Sequence, residues 1–272
     1  MRALLTVILF APLLLNAQLN LNSSAGIALL NTRPPAANTS SIHPTNLTGY
    51  PALAWYPVDL AQTNTGGQVT NLPDQWVNAF NLTNPVASKG GTITNNVLNG
   101  HAIVSFDGVD DYLRSLIYTS SQPHDVWMVC KWRGDSSSAI NKMFFDSADA
   151  TLTFRNRFYF ANNSDRLEMA GNSAINFTDG IGATNRWIVF ECLFNGTSSA
   201  GRTNNVSWPD STSAGTVTMS GFTLGANAVL GNPGTIDVAE IATYGGGNAV
   251  PGTNTLTRSN LFFYFTNKFG SL

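Results

Sequence analysis

Asn99-Gly100-His101-Ala102-Ile103-Val104-Ser105-Phe106-Asp107-Gly108-Val109-Asp110-Asp111-Tyr112-Leu113 decides how the rest of the chain is read. Ala102 to Phe106 is a run of apolar and β-branched residues, long enough for a strand and too short for a stable helix. Asp107-Gly108 ends it with a pair that accepts a positive φ, and Tyr112-Leu113 resume the apolar side chains beyond. The stretch predicts a strand, a tight turn and a second strand.

The same grammar runs from Tyr50 to Leu272. Short runs rich in β-branched and aromatic residues recur at Ala52 to Tyr56, Tyr112 to Arg114, Val126 to Trp132, Met143 to Asp146, Thr151 to Arg155, Arg157 to Ala161 and Arg166 to Ala170. They continue at Arg186 to Phe194, Gly215 to Met219, Phe222 to Leu224 and Thr235 to Tyr244. Gly, Asn, Pro and Asp clusters separate them, with almost no helix-period stretch. A βαβ fold needs long helical patterns between its strands, so residues 50–272 are expected to form an all-β, two-sheet antiparallel β-sandwich of the jelly-roll kind. Between Arg186 and Phe194 both alternating faces are mostly apolar, which predicts a central strand buried on one side and covered on the other by loops or a partner.

Only 11% of the residues are charged and the formal net charge is -2. Asn, Thr, Ser and Gly take the place of charges, so the surface is polar but nearly neutral. No basic stripe interleaves with aromatics, which excludes nucleic acid as a partner. Eight Asn-x-Ser/Thr sequons, for example at Asn81, Asn162 and Asn195, carry no weight in so Asn- and Thr-rich a chain.

Residues 1–49 differ from the rest. Met1-Arg2 precedes the apolar stretch Ala3 to Leu15 and then Asn16-Ala17-Gln18. Two readings stay open: a secretory signal cut after Ala17, or an apolar arm held between neighbouring subunits of an assembly. The stretch falls short of the roughly 20 apolar residues that span a bilayer. From Leu19 to Gly49 the chain is Asn/Ser/Thr-rich and broken by Arg33-Pro34-Pro35 and His43-Pro44, an extended arm in which Ile27 to Leu30 can dock as an added strand. Cys130 and Cys192 lie in apolar runs and are expected to be free buried thiols, with a single inter-strand bridge as the alternative.

Four segments in register carry a family resemblance: Asn99 to Leu113; Asn185-Arg186-Trp187-Ile188-Val189-Phe190-Glu191; Phe222 to Gly225 with Gly234 to Tyr244; and Leu256-Thr257-Arg258-Ser259-Asn260 running to Tyr264 and Lys268-Phe269-Gly270. Together they resemble the concanavalin A-like lectin/glucanase superfamily in its laminin G-like branch. The resemblance implies a jelly roll whose members mostly bind glycans or proteins, with a minority that hydrolyse polysaccharides, and fold alone does not choose among these. The low charge, the arm and the Asn/Thr-rich strands also resemble the laminin G-like domains of bacteriophage particles.

Thr235-Ile236-Asp237-Val238-Ala239-Glu240 resembles the Glu-x-Asp-x-x-Glu strand of that superfamily's retaining glucanases. Retaining hydrolysis needs two carboxyls about 5 Å apart, and Thr235 stands where the resemblance puts the nucleophile, so no catalytic residue is assigned. Asp107, Asp110 and Asp111 form the densest acidic cluster; they have the chemistry for calcium, but Asp in a turn more simply caps local backbone N–H groups, and no cofactor is expected. Arg133-Gly134-Asp135-Ser136 reads as a polar connection, and His43, His101 and His124 lack metal-ligand spacing. For a sugar, the best group is Trp208 with Asn204, Asn205 and Asp210: a ring to stack on a pyranose, and amides and a carboxylate to read hydroxyls. A Trp208 that closes the core edge beside Pro209 is the plainer alternative.

The expectation from sequence is a non-enzymatic virion surface protein, a capsid decoration, head-fibre or tail-attachment component. It would be anchored to neighbouring subunits through residues 1–49, homo-oligomeric, and able to touch host glycans. A secreted lectin-like adhesion module is the alternative, and a polysaccharide hydrolase the third.

Overall fold

The computed structural model describes residues 42–134, 140–151, 155–161, 166–177, 185–208, 213–270 and 272. The N-terminal segment, to which the arm and its subunit contacts were assigned, lies outside them up to residue 41. Residues 40–272 form one compact unit. No described helix is long and apolar enough to cross a membrane.

In chain order the strands are β1 (Ala52–Pro57), β2 (Gln62–Thr63), β3 (Val69–Leu72), β4 (Leu82–Thr83), β5 (Thr92–Leu98), β6 (His101–Ser105), β7 (Leu113–Arg114), β8 (Thr119–Ser120), β9 (His124–Trp132) and β10 (Lys142–Asp146). They continue with β11 (Arg157–Phe160), β12 (Leu167–Ala170), β13 (Ala174–Phe177), β14 (Trp187–Phe194), β15 (Ala200–Thr203), β16 (Val206–Ser207), β17 (Met219–Ser220), β18 (Thr223–Leu224) and β19 (Ile236–Gly245). An α-helix, α1 (Thr255–Phe269), follows.

Eight strands make the first sheet, ordered β16-β15-β14-β9-β19-β6-β5, with β1 also on β19. β19 is its hub. One edge pairs with β9 along its whole length, while β6 takes Asp237 and Val238 on the other edge and β1 takes Glu240 to Tyr244. The second sheet has nine strands, ordered β13-β12-β11-β10-β18-β7-β4-β3-β2. All pairings are antiparallel, so the predicted two-sheet sandwich is the fold.

Between the sheets lies an aromatic-rich core that includes Phe106, Trp132, Phe144, Phe158, Phe190 and Phe222. Cys130 and Cys192 are both buried there and free. Two hairpins close on residue pairs with positive φ, as right-twisted strands require: Asn99 (50°) with Gly100 (85°) joins β5 to β6, and Asn204 (48°) with Asn205 (65°) joins β15 to β16.

The helix is the element that sequence reading did not anticipate. Asn254 caps its start, its side chain accepting from the Thr257 N–H at 3.0 Å. Leu261, Tyr264, Phe265 and Phe269 then recur at helical spacing and pack on the outer face of the first sheet with Trp127, Val129, Val189 and Tyr244. The second apolar face of β14 is therefore covered from within the chain. His43 joins the same layer, its ring edge-on to Trp55 and Tyr264 at 4.6 and 5.2 Å. The ordered sandwich thus begins some residues before Tyr50.

Candidate functional site

The sugar-stacking group expected around Trp208 does not assemble. Trp208 is 1% exposed: Gly201, a strand glycine, leaves the space its indole fills, and the ring stacks on Phe177 at 5.1 Å. Its Nε1 donates to Thr203 Oγ1 at 2.9 Å. Asn204 and Asn205 form the hairpin turn and their side chains tie it to β14 and α1, Asn204 Oδ1 accepting the Val189 N–H at 2.9 Å and Asn205 Oδ1 accepting from Arg258 Nε at 3.2 Å. Asp210 lies outside the described residues.

The carboxylate oxygens of Asp107, Asp110 and Asp111 lie within 4.8 Å of one another. They work as turn braces. Asp107 Oδ1 accepts from the Val109 N–H at 2.8 Å, and Asp111 Oδ2 from the Asp107 N–H at 2.9 Å. Lys89 pairs with Asp110 at 3.0 Å, and burial raises the Asp111 pKa, both of which weaken the cluster as a site for a divalent cation. Gly108 (φ +78°) is required at this turn, since a Cβ there would sit 2.1 Å from Thr235 Oγ1.

On β19 a bulge at Ala239, between Val238 and Glu240, turns Asp237 and Glu240 to the same outer face. Asp237 takes Lys131 at 2.9 Å, Arg133 at 2.7 Å and the Ser105 hydroxyl at 2.6 Å. Glu240, fully buried, takes Trp55 Nε1 at 2.7 Å, the Tyr264 hydroxyl at 2.9 Å and Lys268 at 2.5 Å. These carboxylates hold neighbouring elements in place, Glu240 clamping α1 to the sheet. Of Arg133-Gly134-Asp135-Ser136, Arg133 serves Asp237, and Asp135 and Ser136 lie outside the described residues.

An open cavity lies elsewhere, on the second sheet. It holds about 240 Å³ and is lined by Thr83, Pro85, Tyr112, Arg114, Ser115, Leu116 and Leu230. Thr83 and Arg114 pair across β4 and β7, and Arg114 pairs with Thr223 of β18, which puts the three on one face. The loop from Gly225 to Gly234 comes over that face. Arg114 holds it, Nη2 donating to the Ala228 carbonyl at 2.5 Å, while Nε donates to Thr223 Oγ1 at 3.0 Å. Leu116 and Leu230, exposed by 77% and 41%, form an apolar rim. Burial lowers the Arg114 pKa from its usual value, and the ordinary value is so high that the group stays charged. Arg114 and Tyr112 were legible only as strand residues; no local pattern marks a cleft built from three separate segments.

No protein-family model and no curated protein matches the chain. Solved structures do. Trypanosoma rangeli sialidase in complex with sialic acid superposes with a TM-score of 0.56 at 9% identity, covering 86% of this chain and 38% of the sialidase. The same sialidase with 2,3-difluorosialic acid, a covalent intermediate, gives a TM-score of 0.56 at 9% identity over 81% of this chain and 34% of that one. A GH54 α-L-arabinofuranosidase variant soaked with 4-nitrophenyl α-L-arabinofuranoside gives 0.50 at 10% identity over 72% and 51%. The chain therefore spans between a third and two fifths of the length of the sialidases it matches. At such identity the likeness establishes the fold alone, a two-sheet antiparallel β-sandwich.

These neighbours correct two expectations. The reading as a non-enzymatic virion surface protein is overturned, because sialidases and an arabinofuranosidase stand among the structures that share the fold, and with it falls the exclusion of enzymatic function from the sequence. Sequence reasoning weighted the neutral, Asn-rich surface and the arm, features that describe solubility and assembly rather than chemistry.

Proposed function

We propose that this chain is a glycan-binding β-sandwich of a glycan-processing protein. The cleft between β4, β7 and the Gly225–Gly234 loop is its binding site. The observation that carries the reading is the lining of that cleft. Pro85, Leu116 and Leu230 offer an apolar surface for a sugar ring, while Arg114 and the hydroxyl groups of Tyr112 and Thr83 stand beside it to meet hydroxyl and ring oxygens. The shared fold of sialidases and an arabinofuranosidase supports a glycan as the ligand class.

The test is a glycan array probed with the full chain, alongside Leu116→Glu and Leu230→Glu. Both side chains are exposed, so the variants keep the fold. Binding to a defined set of glycans, lost in both variants, is the expected result. No glycan bound, or binding untouched by either change, rejects this cleft as the site.

A further inference from the structure

The cleft contains a cation, Arg114, that has no ion pair of its own among the described residues. Arg114 is half-buried, and beneath it the nearest carboxylate, Asp146, is fully buried and already taken by Arg155. Asp146 Oδ2, which pairs with Arg155, also accepts the Ala228 N–H at 3.0 Å, and Oδ1 accepts from Arg155 Nε and the Ser147 N–H, so both oxygens are committed. Two guanidinium groups thus share one carboxylate, and no acidic residue lines the cavity. Arg114 spends Nε and Nη2 on Thr223 and the loop carbonyls. Its Nη1 has no protein acceptor among the described residues, and neither has the Tyr112 hydroxyl.

A partly desolvated guanidinium with an unused N–H edge is a recognition group for a carboxylate, because charge-assisted bonds are about twice as strong as neutral ones and the donor geometry is already fixed. We infer that the cleft selects a glycan bearing a carboxylate, an acidic sugar residue whose carboxylate meets Arg114 Nη1 and Tyr112 Oη while its ring lies on Leu116 and Leu230. The inference rests on the cleft being a glycan site and adds the charge of its ligand. Fixing Arg114 through Thr223 and the Ala228 carbonyl removes the side-chain ordering that a free arginine would lose on binding.

Isothermal titration of the full chain with 3′-sialyllactose, tetragalacturonate, lactose and a sulfated lactose tests it, with Arg114→Gln and Tyr112→Phe alongside. At least one carboxylated sugar should bind about tenfold or more tighter than lactose, the equivalent of one charge-assisted bond. Arg114→Gln should erase that preference and Tyr112→Phe should reduce it. Where Arg114→Gln fails to fold, Tyr112→Phe alone decides, since it removes one oxygen from a cleft group that braces nothing. Equal binding of lactose and the acidic sugars overturns the inference and leaves the glycan site standing. Sulfated lactose binding as well as the carboxylated sugars also overturns it, since charge alone is then read. No binding of any sugar rejects the site itself.

Discussion

The carboxylates of Asp125 and Glu191 converge on the backbone of Gly252. A Cβ on that glycine would stand 2.6 Å from Glu191 Oε1 and 2.9 Å from Asp125 Oδ2. Both acids are buried, 0% and 1% exposed, on the outer face of the first sheet. Asp125 Oδ2 accepts from Trp127 Nε1 at 2.7 Å and from the Gly252 N–H at 2.8 Å, and Arg202 pairs with Glu191 Oε1. Asp125 Oδ1 and Glu191 Oε2 have no hydrogen-bond partner. Arg202 and Arg258 both offset the buried charge, yet desolvation outweighs them and favours a proton on the pair. Burial raises both pKa values, Asp125 to about 7 and Glu191 well above the usual range with the Asp125 charge adding to it.

A pH dependence follows, with two opposed parts. A carboxyl whose folded pKa is raised binds more protons folded than unfolded, so its stabilisation is complete at low pH and lost as pH rises through the folded value. His124, buried, has its pKa lowered to about 3 by desolvation, so it adds stability as pH rises toward its unfolded value near 6.5. Between pH 4 and 6.5 the two slopes oppose each other. Above about pH 6.5 the histidine slope is spent and the thermal midpoint should fall with rising pH through the acid pair, with the buried thiols Cys130 and Cys192, whose pKa values burial raises, adding to the fall from about pH 8. Differential scanning calorimetry from pH 4 to 9 checks this; Asp125→Asn should flatten the alkaline fall, and an unchanged profile in that variant rules out the pair as its source.

Gly252→Ala places a methyl group against both carboxylates. It is expected to cost about 1–3 kcal/mol as an overpacking change. Urea unfolding measures it, and a loss below about 0.5 kcal/mol means that the strap over the acids gives way easily.

Lys268 is the counter-ion of the fully buried Glu240. Lys268→Met leaves that charge alone and should cost about 3–5 kcal/mol, with α1 loosening first in hydrogen exchange. Combining it with Glu240→Gln should restore part of the loss. If the double variant is no better than the single one, the ion pair does not hold the helix.

Gly108→Ala combines a positive φ with a collision at Thr235 Oγ1. Its expected cost is about 1–3 kcal/mol. In a double-mutant cycle Thr235→Gly should recover the steric share and leave the backbone share, and a strictly additive cycle would mean that the contact is absent.

The Asp107-Gly108 turn and the long strands of the first sheet were legible because local chemistry and burial agree there. From His124 to Trp132 and from Ile236 to Gly245 almost every side chain is buried, so β-branched and aromatic residues are dense. β5 was missed because its residues Thr92–Leu98 are largely exposed and rich in Thr and Asn, which is also how a loop reads. Glycine carried the overlooked signal for Trp208: Gly201, inside a strand, marks the hole that a large ring from elsewhere must fill. The helix escaped because Asn, Thr and paired aromatics mask its period, although Asn254, Leu261, Phe265 and Phe269 are spaced as a cap and one buried face. The cleft was out of reach, since Thr83, Arg114 and Leu230 meet only through sheet pairing and a loop crossing.

The place of β19 in the first sheet sets the order in which the molecule can be made. Its partners β1, β6 and β9 all precede it in the chain by about a hundred residues or more. During synthesis those strands emerge with the edges that β19 will join still open, and the sheet closes only after residue 245 has left the ribosome. Closing this sheet is therefore expected to be slow, since long loops must close before any contact rewards them. Until then the waiting edges are templates for pairing with another copy of the same chain.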